Sequence, residues 1–348
     1  MTKLFLTYFL LSLSAFGQEG ITSYDGFADF YYAFDFNRPH QIDREFTTQP
    51  ARHNEFNVNL VTLGVEHERG PLRARFSLQA GTYVQSNYSV EPSVGNVSGG
   101  DLSRHIQDAY LKYEGEKTSF IAGVFGSHIG YEYLYSIDNI TYTRSFAADF
   151  SPYYQTGVGV IHQLGDHWLL EGYVLNGWQN ISEDDSNKAL GSALRFVDEN
   201  LSVSYTNFFG KYLQKGLQFH DLNLSYTISK NVKFKALFDI GLRDHQGRTK
   251  TFYTTNIQGQ YQFENRDRLA LRYEYYHDPY NLNVNPSNSL AFKTHSFSVG
   301  YDRPLNESFM ARVEYRQFLS SDKIWQSDSG LKDGNQLLVL SLAAKFGQ

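Results

Sequence analysis

The chain has 348 residues and no cysteine, with 31 basic against 37 acidic residues, for a formal charge of −6. The lack of cysteine excludes a disulfide framework and a thiol metal site, and the acidic balance argues against a nucleic-acid binder, which would carry a basic field. Mean hydropathy is −0.44, and no long apolar stretch follows residue 17, so no transmembrane helix is expected.

The chain opens on Lys3, an apolar run over 4–13 and the small residues Ala15 and Gly17 around Phe16. That is the pattern of a secretion signal cleaved before Gln18, and the run is too short to span a bilayer as a helix. Residues 1–17 therefore read as a signal peptide and 18–348 as one domain.

From there, segments of strand length with a two-residue period recur. They cover 24–34, 56–68, 72–84, 107–113, 120–126, 154–162, 168–174 and 189–197, then 201–208, 220–228, 232–240, 251–263, 269–276, 295–302, 309–315 and 338–346. The third shows the pattern best: Leu72, Ala74, Phe76, Leu78, Ala80 and Val84 point one way, and Arg73, Arg75, Ser77 and Gln79 the other. The second loses its parity between Leu60 and Val61, which predicts a bulge. Short turns alternate with long loops at 35–54, 85–104, 127–151, 175–188, 210–215, 241–250, 278–293 and 319–335. Transmembrane barrels sort their connections in this way, with short periplasmic turns, long external loops and an even strand number. The 26 Tyr and 27 Phe suit the aromatic girdles at both membrane interfaces. The expectation is an all-β, antiparallel, up-and-down transmembrane barrel of about sixteen strands, with both termini in the periplasm. A soluble all-β protein shares the period but has no reason to sort its loops.

The segments GFADFYYAFDFNRP, RHNEFNVNL, LQAGTYVQSNY, GVFGSHIGYE, DNITYTRSFAADFSPYYQTG and LNGWQNI resemble, in order and over nearly the whole mature chain, the OmpL-like family of β-barrel porins. The resemblance implies an outer-membrane location in a Gram-negative bacterium and a pore for small hydrophilic solutes or ions. Strands that act as assembly signals end on an aromatic residue. The last strand, from Leu338 to Phe346, fits this apart from Gly347 and Gln348, and is expected to meet the barrel assembly machinery. Outer-membrane lipid surrounds such a wall, and a homotrimer is compatible with it.

A barrel of this size leaves an aqueous channel. The third loop, the longest, is expected to fold inward and narrow it. Glu132 or Asp138 would then face Arg73 and Arg75 across a constriction, with Arg144, Asp149 and His128 nearby, and the field between them would orient dipolar solutes. Lys112, Glu171, Lys233, Lys235, Asp239, Arg272, Glu274, Arg312, Glu314 and Arg316 share lumen parity. They read as a salt-bridge lattice before a selectivity filter, with a slight anion preference. Tyr83, Tyr110 and Tyr276 have the same parity, as a sugar path or as packing. No G-x-S-x-G or H-E-x-x-H occurs, neighbours Ser296 and His295 point to opposite faces, and no cofactor or metal is expected. Glu183, Asp184 and Asp185 form a solvated acidic loop tip. The competing reading is a non-conducting barrel with a structural or loop-mediated binding role.

Overall fold

Alternating residues give each segment one face for lipid and one for the interior, and such a strand satisfies its backbone in a membrane only when the sheet has no edge. In the computed structural model, which describes residues 19–183 and 185–347, sixteen antiparallel strands close into a barrel. The expected signal segment and cleavage point, Asp184 and Gln348 lie outside the described residues. The wall comprises β1 (Ile21–Asp35), β2 (Phe56–Arg69), β3 (Leu72–Ala80), β4 (Ile106–Glu114), β5 (Thr118–Gly126), β6 (Tyr154–Gln163), β7 (Trp168–Leu175) and β8 (Ala189–Val197). It continues with β9 (Leu201–Tyr212), β10 (Lys215–Ser229), β11 (Val232–His245), β12 (Arg248–Gln262), β13 (Arg268–Asp278), β14 (Phe292–Pro304) and β15 (Phe309–Ser320). A separate hairpin of β16 (Trp325–Ser327) and β17 (Gly330–Lys332) precedes β18 (Gly334–Gly347), which closes the wall on β1.

The predicted parity holds: Leu72, Phe76 and Leu78 are exposed outward, while Ser77 and Gln79 are buried on the lumen side. Three expectations change. Segment 72–84 leaves the sheet at Gly81, where φ is +134° and a Cβ would lie 2.2 Å from the Asn59 carbonyl oxygen, so only glycine fits. A short helix, α1 (Thr82–Asn87), follows and buries Tyr83 and Val84, so neither keeps strand parity. The presumed long loops at 210–215 and 241–250 are tight turns, because β9–β12 run further than the alternating core of each segment. Leu213-Gln214 and Gln246-Gly247 have positive φ at both positions, the backbone that a two-residue hairpin between twisted strands needs. The bulge falls at Asn59, one residue earlier than expected: Asp29 faces Leu60 and Phe30 faces Val58.

The core lies inside the barrel, at the long-loop end. Lumen-facing Phe208, Phe219, Phe252, Tyr276, Phe292 and Phe318 are at most 2% exposed. Loop residues cover them. Phe46 packs tilted on Phe292 at 4.9 Å, Phe146 edge-on or tilted against Phe292 and Phe318 at 5.4 and 5.8 Å, Trp178 edge-on against Phe208 and Phe219 at 4.8 and 4.9 Å, and Trp325 tilted on Phe318 at 4.5 Å. The sequence predicts an aqueous channel narrowed by the third loop. At this end it is an apolar plug, because strand aromatics and loop aromatics bury one another.

Gly81→Ala is expected to destabilise the barrel by about 1–3 kcal/mol, from strain at a backbone position that favours glycine. A lowered midpoint of heat-modifiable gel migration would register it.

Candidate functional site

Alternation places Arg272 and Glu274 of β13, Asp302 of β14, and Arg312, Glu314 and Arg316 of β15 on one stretch of lumen wall. The side chains are all at most 2% exposed in their ion pairs, and they form a lattice. Arg312 pairs with Asp302 at 2.7 Å and Arg316 with Glu274 at 2.5 Å. Arg272 joins Glu274 at 3.2 Å and Glu314 at 3.3 Å. Buried ions are tolerated only when their remaining donors and acceptors are also met.

The third loop, residues 127–153, meets them. Glu314 accepts from the Thr143 N–H and hydroxyl at 2.8 and 2.7 Å, and Glu274 accepts from the Phe146 N–H at 2.6 Å. Arg272 donates to the Thr143 carbonyl at 2.6 Å and Arg316 to the Arg144 carbonyl at 2.7 Å. Arg312 donates to the carbonyls of Ser136, Asn139 and Ile140. The loop therefore runs down the lumen against β13–β15. Its tip reaches well toward the terminal end, where Tyr135 stacks on Phe27 at 4.5 Å and Asp138 pairs with Lys345 at 2.9 Å.

The pairing expected across a constriction is not formed. Arg75 binds Asp25 at 2.7 Å and Asp108 at 3.1 Å, and Arg73 binds Glu68 at 2.8 Å, Glu114 at 3.3 Å and Glu66 at 3.4 Å. Carboxylates on neighbouring strands thus reach both arginines before any loop acid can. Glu132 instead accepts from the Ser145 N–H at 3.3 Å and Gln258 at 3.2 Å. Arg144 lies between the Tyr83 and Tyr153 rings, 5.5 and 5.1 Å from their centres, and donates to the Leu134 carbonyl. Asp149 accepts from Thr48 and Tyr153 at the loop's far end, where burial pushes its carboxyl above the usual range. Burial likewise lowers His128, whose ring nitrogens face Gln155 and the Asn207 carbonyl.

Of the other wall charges, Glu171 pairs with Arg195 at 2.8 Å and Lys112 with Glu114 at 2.6 Å. Lys235 lies over the Tyr131 and Tyr133 rings at 5.0 and 5.1 Å, Lys233 is exposed, and Asp239 faces Asp221 on the neighbouring strand. In a ring of sixteen strands β11 stands opposite β3. Asp25, Glu66, Glu68, Asp108 and Glu114 surround Arg73, Arg75 and Lys112 on one side, and Lys233 and Lys235 face them from the other.

Between α1, both limbs of the third loop and the β3–β4 wall lies a cavity of about 240 Å³. Tyr83, Tyr88, Tyr131, Tyr133, Tyr153 and Tyr154 line it, together with Gln79, Gln107, Asp108 and Glu132. Sequence reasoning missed most of these, since the loop tyrosines carry no strand parity. It also passed over the plug phenylalanines, although their parity is opposite to that of the lipid face and could have exposed them.

Glu314→Gln removes one charge from a lattice in which breaking a buried pair costs about 3–5 kcal/mol. The variant is expected to melt earlier and to be cut by protease within 127–153, where the parent protein resists.

A family model described as "Putative beta-barrel porin-2, OmpL-like" matches residues 22–346. No curated protein matches. Among solved structures, the anion-selective porin from Comamonas acidovorans is similar at a TM-score of 0.63 and 11% identity, covering 94% of this chain and 100% of its own. In-vitro folded OmpT of Vibrio cholerae, in its trimer form, gives 0.61 and 9%, with 94% and 100% covered. Salmonella typhi OmpF in complex with daunomycin gives 0.60 and 13%, with 93% and 97% covered. At these identities the structures share the fold alone. The match over 22–346 carries the assignment: the chain belongs to the OmpL-like family of β-barrel porins.

Proposed function

We propose that the protein is an outer-membrane porin with a narrow, selective passage for small hydrophilic solutes or ions, and not a wide diffusion pore. The observation behind this reading is the burial of the lumen-facing aromatic ring: Phe208, Phe292 and Phe318 are at most 1% exposed, whereas the wall of an open pore would be wet. Beside the plug lies the tyrosine-lined cavity of about 240 Å³. The passage runs along the β3–β4 side. An acid-rich wall there faces Lys233 and Lys235, and the field between the walls orders water and orients dipolar solutes.

In this reading the long loops face outward, the termini face the periplasm, and the signal is cleaved near Gly17-Gln18. No bond is made or broken, so no catalytic group or cofactor is involved. One of the similar structures is described as a trimer form, and a homotrimer is proposed for this chain too. The plug also favours a second reading, a non-conducting barrel whose loops bind a partner or serve a structural role.

Planar-bilayer recording of the purified mature protein separates the two. Small, salt-proportional open steps are expected, growing in Phe146→Ala as the plug loosens. Lys233→Glu with Lys235→Glu should move the reversal potential toward cations. A folded, heat-modifiable barrel that gives no steps in either the parent or the Phe146 variant would leave the binding reading.

A further inference from the structure

Most buried carboxylates of the lumen have a guanidinium or a set of N–H donors. Asp302 has Arg312, Glu171 has Arg195, and Asp278 accepts the N–H groups of Leu282, Asn283 and Val284. Asp221 of β10 and Asp239 of β11 differ. They are direct cross-strand partners, 0% and 3% exposed, and the donors of Asp221, Thr206 and Asn223, both reach the same one of its oxygens. Arg195, the guanidinium whose charge reaches Asp221, is bound to Glu171. Like charges directly opposite destabilise a sheet, and two carboxylates this close do not both stay ionised without something positive between them.

The surroundings decide what that is. One oxygen of each carboxylate, Asp221 Oδ2 and Asp239 Oδ1, has no partner. Asn256 lies on the same lumen face, diagonal to Asp239, because Leu237 faces Asn256 and Asp239 faces Thr254. It is 0% exposed, and both polar atoms of its amide are unpartnered. Thr206 and Thr254 stand beside the pair in the same row. A shared proton would bridge the two acids but leave the Asn256 amide oxygen unmet. A hard divalent cation uses both carboxylates and takes neutral amide and hydroxyl oxygens as further ligands, and its two charges cancel theirs. No third His, Asp or Glu gathers here among the described residues, so neutral oxygens and water would complete the shell.

We propose that Asp221 and Asp239, with the Asn256 amide oxygen, bind a hard divalent cation of the Ca²⁺ type in the lumen wall. The site lies directly under the plug. Asp221 is two residues from Phe219 on its strand, and Trp178 meets that ring edge-on at 4.9 Å. The ion holds β10 to β11 where the apolar end of the lumen gives way to the polar end.

The test uses the purified full barrel after chelator treatment, with Tb³⁺ as the probe. Excitation of tryptophan should give saturable Tb³⁺ emission that Ca²⁺ displaces, and Ca²⁺ should raise the midpoint of heat-modifiable migration. D221N/D239N keeps shape and hydrogen bonding while removing both charges. It should fold, bind Tb³⁺ about tenfold or more weakly, and melt at the same temperature with and without Ca²⁺. If the double variant does not fold, the same losses are expected in D239N. W178F should keep the Ca²⁺-dependent midpoint while losing most of the sensitised emission. Equal Tb³⁺ binding by parent and D221N/D239N would assign the signal to surface acids and overturn the proposal. So would a parent that binds no Tb³⁺ and melts independently of Ca²⁺, which would leave a shared proton between the two carboxyls.

Discussion

The rest of the lumen depends on one constraint: each ion taken out of water costs free energy unless hydrogen bonds and counter-charges replace its hydration. Arg272, Glu274, Arg312, Glu314 and Arg316 are almost fully buried, and each such ion carries a desolvation penalty of several kcal/mol even after relaxation. The side chains pair across β13–β15, but the pairs alone leave donors and acceptors over. The main chain of 136–146 supplies most of the missing partners, and Arg272 Nε is left with its ion-pair contact to Glu274 alone. Charges and loop thus satisfy each other. The lattice needs the loop inside the barrel, and the loop's own backbone groups, buried away from water, need the lattice.

That anchoring sets the level at which the lumen changes character. Phe146 leaves the lattice with its N–H on Glu274 and its ring among Tyr276, Phe292 and Phe318. One residue therefore joins the polar network to the apolar plug. Above it, rings from several loops pack as in a protein core. On the β3 side, by contrast, the wall charges keep some contact with water and pair with strands one or two places away, as Arg73 and Arg75 do.

The wall was legible in the sequence because its rule is local. Inward and outward residues alternate, and short turns punctuate them, so all sixteen strands could be placed from period and punctuation alone. Where a strand ended by a backbone requirement, the sequence was silent: Gly81 reads as one more strand residue until the Asn59 carbonyl is seen beneath it. The lumen charges could be named from parity, and the reading of Arg312, Glu314 and Arg316 as a lattice describes their contacts. Their third partner could not be foreseen, because backbone N–H and C=O groups are present in every residue and mark none. The arginine constriction went astray for a related reason. Asp25 and Asp108 are distant from Arg75 in sequence, and only the closure of β1 through β4 brings them to it.

Strand number therefore bounds the interior without deciding its use. A sixteen-stranded wall makes room for water, but how much water enters depends on how much of the wall the loops can wet or cover. Here the wall is uneven around its circumference. β13–β15 offer buried ions that bind the third loop, and the loop end of β9–β15 offers rings that bind several loops. The β3–β4 stretch has already paired its charges with its neighbours, so it has little left with which to hold a loop. Space persists on that side, between Gln79, Asp108 and the tyrosines of 131–154. The lumen is filled where the wall offers partners to the loops, and the cavity lies where the wall is self-sufficient. The distribution of pairing around the barrel, more than its diameter, fixes where space remains inside it.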